Sequence, residues 1–416
     1  MTQEIKDRID QIRRGEVPEG YKKTKAGIIP NEWKDEEIGT YLQEYSELSN
    51  DIQTYQVYSS SRQGLILQSQ YYDNRESVET NLGYKMVPDG YATYRHMSDD
   101  DIFHFNINYT GNTILVSSEY PVFTVNNRCN LMYIVSILNE TPRFRYFCRT
   151  QKLGGTRTRL YYKNLRKYRA AFPPLSEQQK ITEILSTQDK VIELKERLLI
   201  QKQRQQKYIM QQLLTGKQRL PGFTGEWKNI CLNDECQVFS GGTPKTGSEL
   251  YYNNGSIPFI RSAEISKSST ELFITESGFN NSSAKMVNIG DILYALYGAN
   301  SGNCALSKIN GAINQAIICI RPTSLNKVLL YQILNFKKGY IVSKYLQGGQ
   351  GNLSAAIINN LIITVPIQEE EQEKIALILS VLEHEIEVFQ SEIEQEKQKK
   401  KALMQLLLTG IVRVNI

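Results

Sequence analysis

A chain of 416 residues with 40% hydrophobic and 22% charged residues has ordinary globular composition and the length for two or three domains, each able to bury a core. The polar N-terminus and the lack of any apolar run of membrane length argue against a signal peptide or a spanning helix, so a cytoplasmic protein with no membrane partner is expected. A net charge of +5 does not by itself point to a polyanionic partner, so the distribution of charge matters more.

Residues 2–14 have the apolar spacing of a short amphipathic helix (Ile5, Ile9, Ile12), and 15–30, with Pro18, Gly20, Gly27 and Pro30, read as an irregular lead-in. From Asp35 to about Tyr162 the chain is rich in tyrosine and β-branched residues. Tyr84–Val87 and Tyr91–Tyr94 flank the turn Pro88-Asp89-Gly90 and read as a hairpin. Thr113–Val116 and Val122–Val125 read as strands, and Leu131–Asn139 as a helix. The segment then turns basic. Arg143, Arg145, Arg149, Lys152, Arg157, Arg159, Lys163, Arg166, Lys167 and Arg169 occur with no intervening Asp or Glu, interleaved with Phe144, Tyr146, Phe147, Tyr161 and Tyr162. Such a run can neutralise phosphates, and arginine forks can read guanine edges; the plainer reading is a solvated face with some arginines paired to distant acids.

Ser176 to Gly216 is the segment that organises the chain, because it recurs. Displaced by 194 positions, as from Glu177 to Glu371, it returns as residues 370–410 with about 17 of 40 positions identical. The matches include Gln178/Gln372, Ile184-Leu185-Ser186 with Ile378-Leu379-Ser380, and both Leu-Leu-Thr-Gly endings. Each copy reads as one long helix. Pro174 and Pro366 precede it, Glu177 and Glu369–Glu371 fall in the first turns, and Gly216 and Gly410 suit the closing position. In the second copy Ile375, Leu379, Leu382, Ile386, Phe389, Ile393, Leu403 and Leu407 form a heptad seam. A helix of about 38 residues is roughly 57 Å long and needs a partner along its stripe. The other copy is the nearest candidate. Antiparallel pairing would set the acidic start of each helix beside the basic end of the other.

The offset also relates Glu32-Trp33-Lys34 to Glu226-Trp227-Lys228 and Gly154-Gly155 to Gly348-Gly349. Met86-Val87-x-x-Gly90 and Met286-Val287-x-x-Gly290 share a pattern, and Asn314–Ile317 stands where Tyr120–Phe123 stands in the first half. Two domains of one fold with different exposed residues are the pattern of two readers of different targets; drift after an old duplication is the blander account. The expected fold is α+β: two similar mixed-sheet domains joined by two long antiparallel coiled-coil helices with pseudo-twofold symmetry. The second domain offers Ser240–Thr246 with Lys245 and Thr246, then Arg261-Ser262, Ser283–Lys285, Tyr297–Asn303 with Asn300, and Asn314-Gln315. Asn and Gln can bind adenine bidentately, and glycine-rich loops admit phosphate to backbone amides. Singly, each is as common in ordinary turns.

Motifs for catalysis are missing. There is no P-loop, HExxH, GxSxG or Asn-Pro-Pro-aromatic tetrapeptide, and Gly348-Gly349-Gln350-Gly351 has the wrong spacing for a dinucleotide cradle. Pro88-Asp89 lacks the following Glu-x-Lys of a nuclease and reads as a turn. The six cysteines include no CxxC, so no metal site and reduced thiols are expected. His96, His104 and His384 form no constellation.

The chain resembles the specificity subunit of type I restriction–modification systems. The resemblance rests on Pro174–Ile181, Gln212–Lys217 and their second copies, and on Gly241–Pro244, Ile257–Ser262, Ser282–Lys285 and Asn314–Ile317. It departs at Pro366–Glu370, where extra residues precede the helix. The resemblance implies two target-recognition domains, each reading half of a split sequence in double-stranded DNA. The domains would span residues 31–172 and 218–364, after a lead-in of 1–30, with spacer helices in 173–217 and 365–416. It implies no catalysis and no cofactor in this chain. Two modification subunits would bind S-adenosylmethionine and methylate adenine, and two restriction subunits would use ATP and Mg²⁺. The DNA contacts expected are Arg143, Arg145, Arg149, Lys152, Arg157, Arg159, Lys163, Lys245, Thr246, Arg261, Ser262, Lys285, Tyr297, Asn300, Asn303, Asn314 and Gln315. The alternatives are a coiled-coil scaffold with two protein-binding domains, and a self-sufficient endonuclease or methyltransferase.

Overall fold

The computed structural model describes residues 2–71, 83–152, 154, 156–345 and 352–414. Gly155 and the Gly348–Gly351 tetrad lie outside the described residues. The chain divides into two compact units, Met1–Lys195 with Glu392–Ile416, and Glu196–Ser391.

In the first unit α1 (Gln3–Arg13) is followed by an antiparallel hairpin, Tyr21–Thr24 with Gly27–Pro30, where the sequence reads as irregular. The Gly27 backbone (φ 118°) makes that turn at no steric cost. Six strands matter for the site: β1 (Leu42–Tyr45), β2 (Tyr84–Val87), β3 (Ala92–Tyr94), β4 (Phe105–Ile107), β5 (Ile114–Ser117) and β6 (Val122–Val125). One sheet has the order β4-β3-β6-β1, and a second joins β5, β2 and Leu48–Ser49. The expected hairpin of Tyr84–Val87 with Tyr91–Tyr94 does not form. The chain does turn at Pro88, where Tyr91 N donates to Pro88 O at 3.1 Å, but β2 and β3 then enter different sheets. The reason is Asn108, whose side-chain amide donates to Val87 O (2.9 Å) while its backbone N–H donates to Tyr91 O (2.8 Å), displacing the ladder a hairpin would need. Helices α2 (Leu131–Glu140) and α3 (Pro142–Arg149) pack Tyr133, Ile134, Ile137, Leu138 and Phe144 into a core shared with Phe105 and Phe123. The Asn130 side chain caps α2 by accepting from Tyr133 N at 3.0 Å. After Arg169–Phe172, paired with Lys34–Glu37, begins α4 (Leu175–Leu214), the first spacer helix.

The second unit repeats this plan. Its strands are β7 (Cys236–Ser240), β8 (Lys285–Val287), β9 (Ile292–Ala295), β10 (Cys304–Leu306), β11 (Gly311–Ile313) and β12 (Ile317–Pro322). The sheet order β10-β9-β12-β7 matches β4-β3-β6-β1 strand for strand, and β8 pairs β11 as β2 pairs β5. Helix α5 (Lys327–Tyr345) takes the place of α2 and α3, and α6 (Glu369–Leu407) is the second spacer.

Spacer helices of 40 and 39 residues are each about 60 Å long at 1.5 Å per residue. They run antiparallel within each unit. In the first, Gln188 bonds Glu396 (2.8 Å), Lys195 pairs with Glu392 (3.1 Å) and Lys400 with Asp189 (2.6 Å); in the second, Lys202 pairs with Glu385 and sits 5.3 Å over the Phe389 ring. Every member of the predicted heptad seam is buried or half-buried.

The helix starts explain why the repeated residues were kept. The Glu177 carboxylate is fully buried and takes two bonds from Arg413 (2.6 and 2.8 Å) and one from Trp33 Nε1 (3.1 Å). Glu371 is equally buried and is held by Arg219 through two bonds of 2.7 Å. The acidic starts thus meet arginines that follow the opposite helix rather than lysines within it. Gln178 donates to Pro173 O and accepts from Asn130 N, both at 2.9 Å; Gln372 does the same with Pro366 O and Asn326 N. The shared Glu-Gln pair fastens each helix to its sheet domain.

Candidate nucleic-acid interface

In the second unit, strand topology gathers the predicted residues. The C-terminal ends of β7 and β9 and the N-terminal ends of β10 and β12 lie at one edge of the sheet, through the pairs Ser240↔Ile318, Ala295↔Ile317 and Tyr294↔Cys304. The segments leaving that edge are 241–247, 296–303 and 314–316. Strand Ile257–Ile260 runs parallel to β11, through Ile260↔Ile313, and delivers Arg261 and Ser262 to the same place; Lys285↔Ile313 delivers Lys285. All ten second-domain candidates therefore come together: Lys245, Thr246, Arg261, Ser262, Lys285, Tyr297, Asn300, Asn303, Asn314 and Gln315. The glycines let the loop lie close. A Cβ on Gly241 would stand 1.8 Å from Ile313 O, and one on Gly242 1.9 Å from Ser283 Oγ.

The structure also sorts these residues by freedom. Arg261 is tied to Glu264 through two bonds (3.0 and 3.1 Å) and to Glu271 (2.8 Å). The Arg261 hydrogen bond holds the buried Glu264 carboxyl down at about 2, and these carboxylates raise the arginine further. Asn303 accepts from Lys338 Nζ at 2.6 Å. Lys245, Thr246, Lys285, Tyr297 and Gln315 are exposed. The Gln315 side-chain oxygen accepts from the Thr243 hydroxyl, which orients the amide and leaves its NH₂ for a ligand. Beside it, a cavity of about 380 Å³ has a floor of Tyr252, Phe259 and Leu272 and a rim that includes Thr246, Arg261 and Asn314. Thr243 is the residue that sequence reasoning left out of the contact set. Its place opposite Asn314-Gln315 follows from the β7–β12 register and is invisible along the chain.

The first unit presents the equivalent edge, where Tyr45↔Val122 and Tyr94↔Phe105 end the sheet. A cavity of about 350 Å³ opens there, lined by residues 60–63 and by the 95–104 segment. His96 is buried in this segment, stacked on Tyr161, and burial lowers its pKa.

The basic run does not form one patch, because it spans a helix, a loop, a strand, a short helix and another strand. Thr158–Arg159 pairs with Met97–Ser98, so Arg157 and Arg159 reach the equivalent edge, with Arg157 bonded to Asp99 at 2.8 Å. Arg143 instead lines a separate cleft of about 260 Å³ with Lys25, Tyr146, Thr150, Lys167 and Arg169, the last bonded to Asp35 at 2.9 Å. Arg145, Arg149, Lys152 and Lys163 are exposed and placed in neither cavity. Of the interleaved aromatics, Phe144 and Tyr162 belong to the core, whereas Tyr146 and Tyr161 are exposed.

All six cysteines are free, and burial pushes the Cys129, Cys148, Cys236 and Cys319 thiols up to about 12. Among the described residues no group of three or more His, Cys, Asp or Glu is placed to hold a metal ion, and no helix is long and apolar enough to cross a membrane.

Two sheet domains that present loop edges and are joined by paired helices define a two-headed recognition protein. The sequence model of the family described as type I restriction modification DNA specificity domain matches residues 102–202 and 224–397, about two thirds of the chain, and the chain belongs to that family. It is 24% identical to a putative type I restriction enzyme MjaX specificity subunit of Methanocaldococcus jannaschii, across 95% of this chain and 97% of that one. It is 26% identical to the MjaVIII specificity subunit of the same organism, across 64% of this chain and 68% of that one. The fold is similar to the crystal structure of a type I restriction–modification S subunit from M. genitalium, with TM-score 0.59, 13% identity and coverage of 90% and 96%. It is also similar to a chain in the structure described as "Structural basis underlying complex assembly and conformational transition of the type I R-M system", with TM-score 0.57, 16% identity and coverage of 92% and 99%. The chain is accordingly a specificity subunit, the non-catalytic DNA-recognition component of such a system.

Proposed function

We propose that each domain reads one half of a bipartite, asymmetric duplex sequence through the loops at one edge of its four-stranded sheet, and that α4 and α6 set the number of unread base pairs between the halves. The observation that carries this reading is the convergence of Lys245, Thr246, Lys285, Tyr297, Asn314 and Gln315 on one edge of the second sheet. Exposed amides and hydroxyls over an apolar floor suit base edges in a major groove, and lysines around them suit phosphates. The site is asymmetric because the corresponding edge of the first domain carries a different set, with Arg157, Arg159 and the 95–104 segment. Along the spacer helices Leu194, Leu198, Ile200, Leu377 and Val381 are exposed apolar residues, a suitable docking surface for two modification subunits. Those subunits would bind S-adenosylmethionine and methylate adenine in the cytoplasm, and two restriction subunits would add ATP- and Mg²⁺-dependent cleavage.

The test is methylome sequencing of a cell carrying this chain with its modification subunit. A split, asymmetric methylated sequence is expected; a continuous or palindromic one, or none, rejects the reading. Deleting one turn from both spacer helices together should change the gap and leave both half-sites intact. Altered half-sites would reject the role of the helices.

A further inference from the structure

Folding scatters the basic run, and the edge of the first sheet is occupied instead by a hairpin that lies outside it. Tyr58–Ser61 pairs antiparallel with Gly64–Leu67, so Arg62 and Gln63 form the tip, and both are exposed. Strand register fixes where this hairpin stands. Val57 bridges Leu115 in parallel, and Leu115 pairs with Met86; in the second unit Phe259 pairs in parallel with Ala312, and Ala312 with Met286. Arg62 therefore follows the counterpart of the strand that delivers Arg261. The buried Asn106 holds the hairpin down, its side-chain amide donating to Ser60 Oγ (2.8 Å) and Ser61 O (2.9 Å).

Across the cavity of about 350 Å³ from this tip lies the turn Ser98–Ile102, which carries three consecutive aspartates. Asp99 accepts from Arg157 Nε at 2.8 Å, Asp100 from Arg62, and Asp101 from the Thr158 hydroxyl. The turn is a built one. Ser98 Oγ donates to Asp100 (2.8 Å) and accepts from Ile102 N (3.1 Å), and Asp101 takes a left-handed backbone (φ 63°), a shape kept only where the surroundings impose it.

Two simpler roles do not account for these pairs. With Arg62 and Arg157 exposed at 57% and 52%, they contribute little to stability. Carboxylates on an edge that meets a polyanion also weaken its attraction, and an arginine whose charge is cancelled is a poor phosphate contact. Such an arginine is still a good reader of a base. Asp99 engages only Nε of Arg157 and Asp100 only Nη2 of Arg62, so among the described residues the rest of each fork is unbonded while its direction is fixed. Guanine offers that fork two acceptors, O6 and N7, in the major groove, which admits a two-stranded ribbon. Arg261 differs, because Glu264 and Glu271 occupy both its Nε and its Nη2.

We infer that Arg62 and Arg157 read two guanines in the half-site of the first domain, and that Asp100 and Asp99 are the positioning residues that aim them; this rests on the proposed reading of DNA by the sheet edges. Adjacent Cα atoms are ~3.8 Å apart, so the two guanines lie within a few base pairs of each other.

The test uses the full chain assembled with its modification subunit. The probes are duplexes carrying the methylated sequence with one guanine at a time replaced by 7-deazaguanine, which lacks the N7 acceptor. Wild type should lose at least about fivefold in affinity at two guanines of one half-site. Arg62→Gln should be insensitive at one of them and Arg157→Gln at the other, with the salt slope of binding unchanged. Asp99→Asn and Asp100→Asn should weaken discrimination at the same guanines yet tighten binding to a duplex lacking the sequence, because a negative charge is removed; a purely structural role would raise no affinity. Three results overturn the inference: wild type tolerates 7-deazaguanine throughout, both arginine variants keep wild-type sensitivity, or each variant weakens every duplex alike and lowers the salt slope by about 0.9, the mark of a phosphate contact. The first needs no variant to fold. A wild type that prefers no split sequence removes the recognition reading and this inference together, whereas a split sequence tolerant of 7-deazaguanine removes this inference alone.

Discussion

Removing Arg219 is the most direct challenge to the joint between spacer helix and domain. Its guanidinium meets both oxygens of Glu371 at 2.7 Å, and Glu371 is 1% exposed. In Arg219→Ala the carboxylate stays buried with no arginine to compensate it, at a cost of about 3–5 kcal/mol. This is a large share of the roughly 5–15 kcal/mol that holds a domain folded. Arg413→Ala in the first unit should cost about 1 kcal/mol less, because Glu177 keeps the bond from Trp33 Nε1, whereas Trp227 Nε1 has no partner among the described residues. The second partner of Arg413, Glu32, is exposed and contributes under about 1 kcal/mol. Replacing Arg219 and Glu371 together by leucine should recover most of the loss, since no charge is then stranded. A chain of two compact units is not expected to unfold in a single two-state step, so the assay is native-state hydrogen exchange resolved by region. Amides of 196–391 should exchange about two to four orders of magnitude faster in Arg219→Ala. A change below about 0.5 kcal/mol, or a larger effect for Arg413→Ala, refutes the account of a buried, mutually dependent pair.

Other consequences concern the second domain's reading edge. Gly241→Ala forces a Cβ against Ile313 O and should abolish recognition of one half-site and destabilise the unit by more than about 2 kcal/mol; hydrogen exchange and methylome sequencing check both. Thr243→Val releases Gln315 and should relax the methylated consensus at one position of one half-site, whereas loss of the other half-site would contradict the geometry. Glu264, held at about 2 by Arg261, contributes stability that is fully present above about pH 4.5 and lost as pH falls toward about 2, amounting to about 2–3 kcal/mol. Acid unfolding of Glu264→Gln should lack that part of the pH dependence.

Periodic features were legible in the sequence and long-range ones were not. The spacer helices followed from heptad spacing, and their pairing from the duplication. The Met86-Val87/Met286-Val287 likeness proved to mark equivalent strands. By contrast, Pro88-Asp89-Gly90 correctly announces a turn but says nothing of where its arms bond, which Asn108 decides from 20 residues away. Residues 15–30 carry enough glycine and proline to look irregular, yet Lys22↔Ile29 pairing makes them a hairpin. The basic run was conspicuous because a sequence is read in one dimension. Folding disperses it, and only part of it reaches a cleft or the reading edge. The second domain's polar residues behaved in the reverse way. They are scattered over 70 positions and individually unremarkable, and strand register brings them to a single edge.

The repeat itself is the better instrument, because it compares two solutions to one structural problem. Glu177/Glu371 and Gln178/Gln372 are identical since each domain must be clamped to a helix start through the same four contacts, and a buried carboxylate tolerates no substitute without its arginine. On the proposed function, the residues of the two sheet edges differ because each edge would face its own bases.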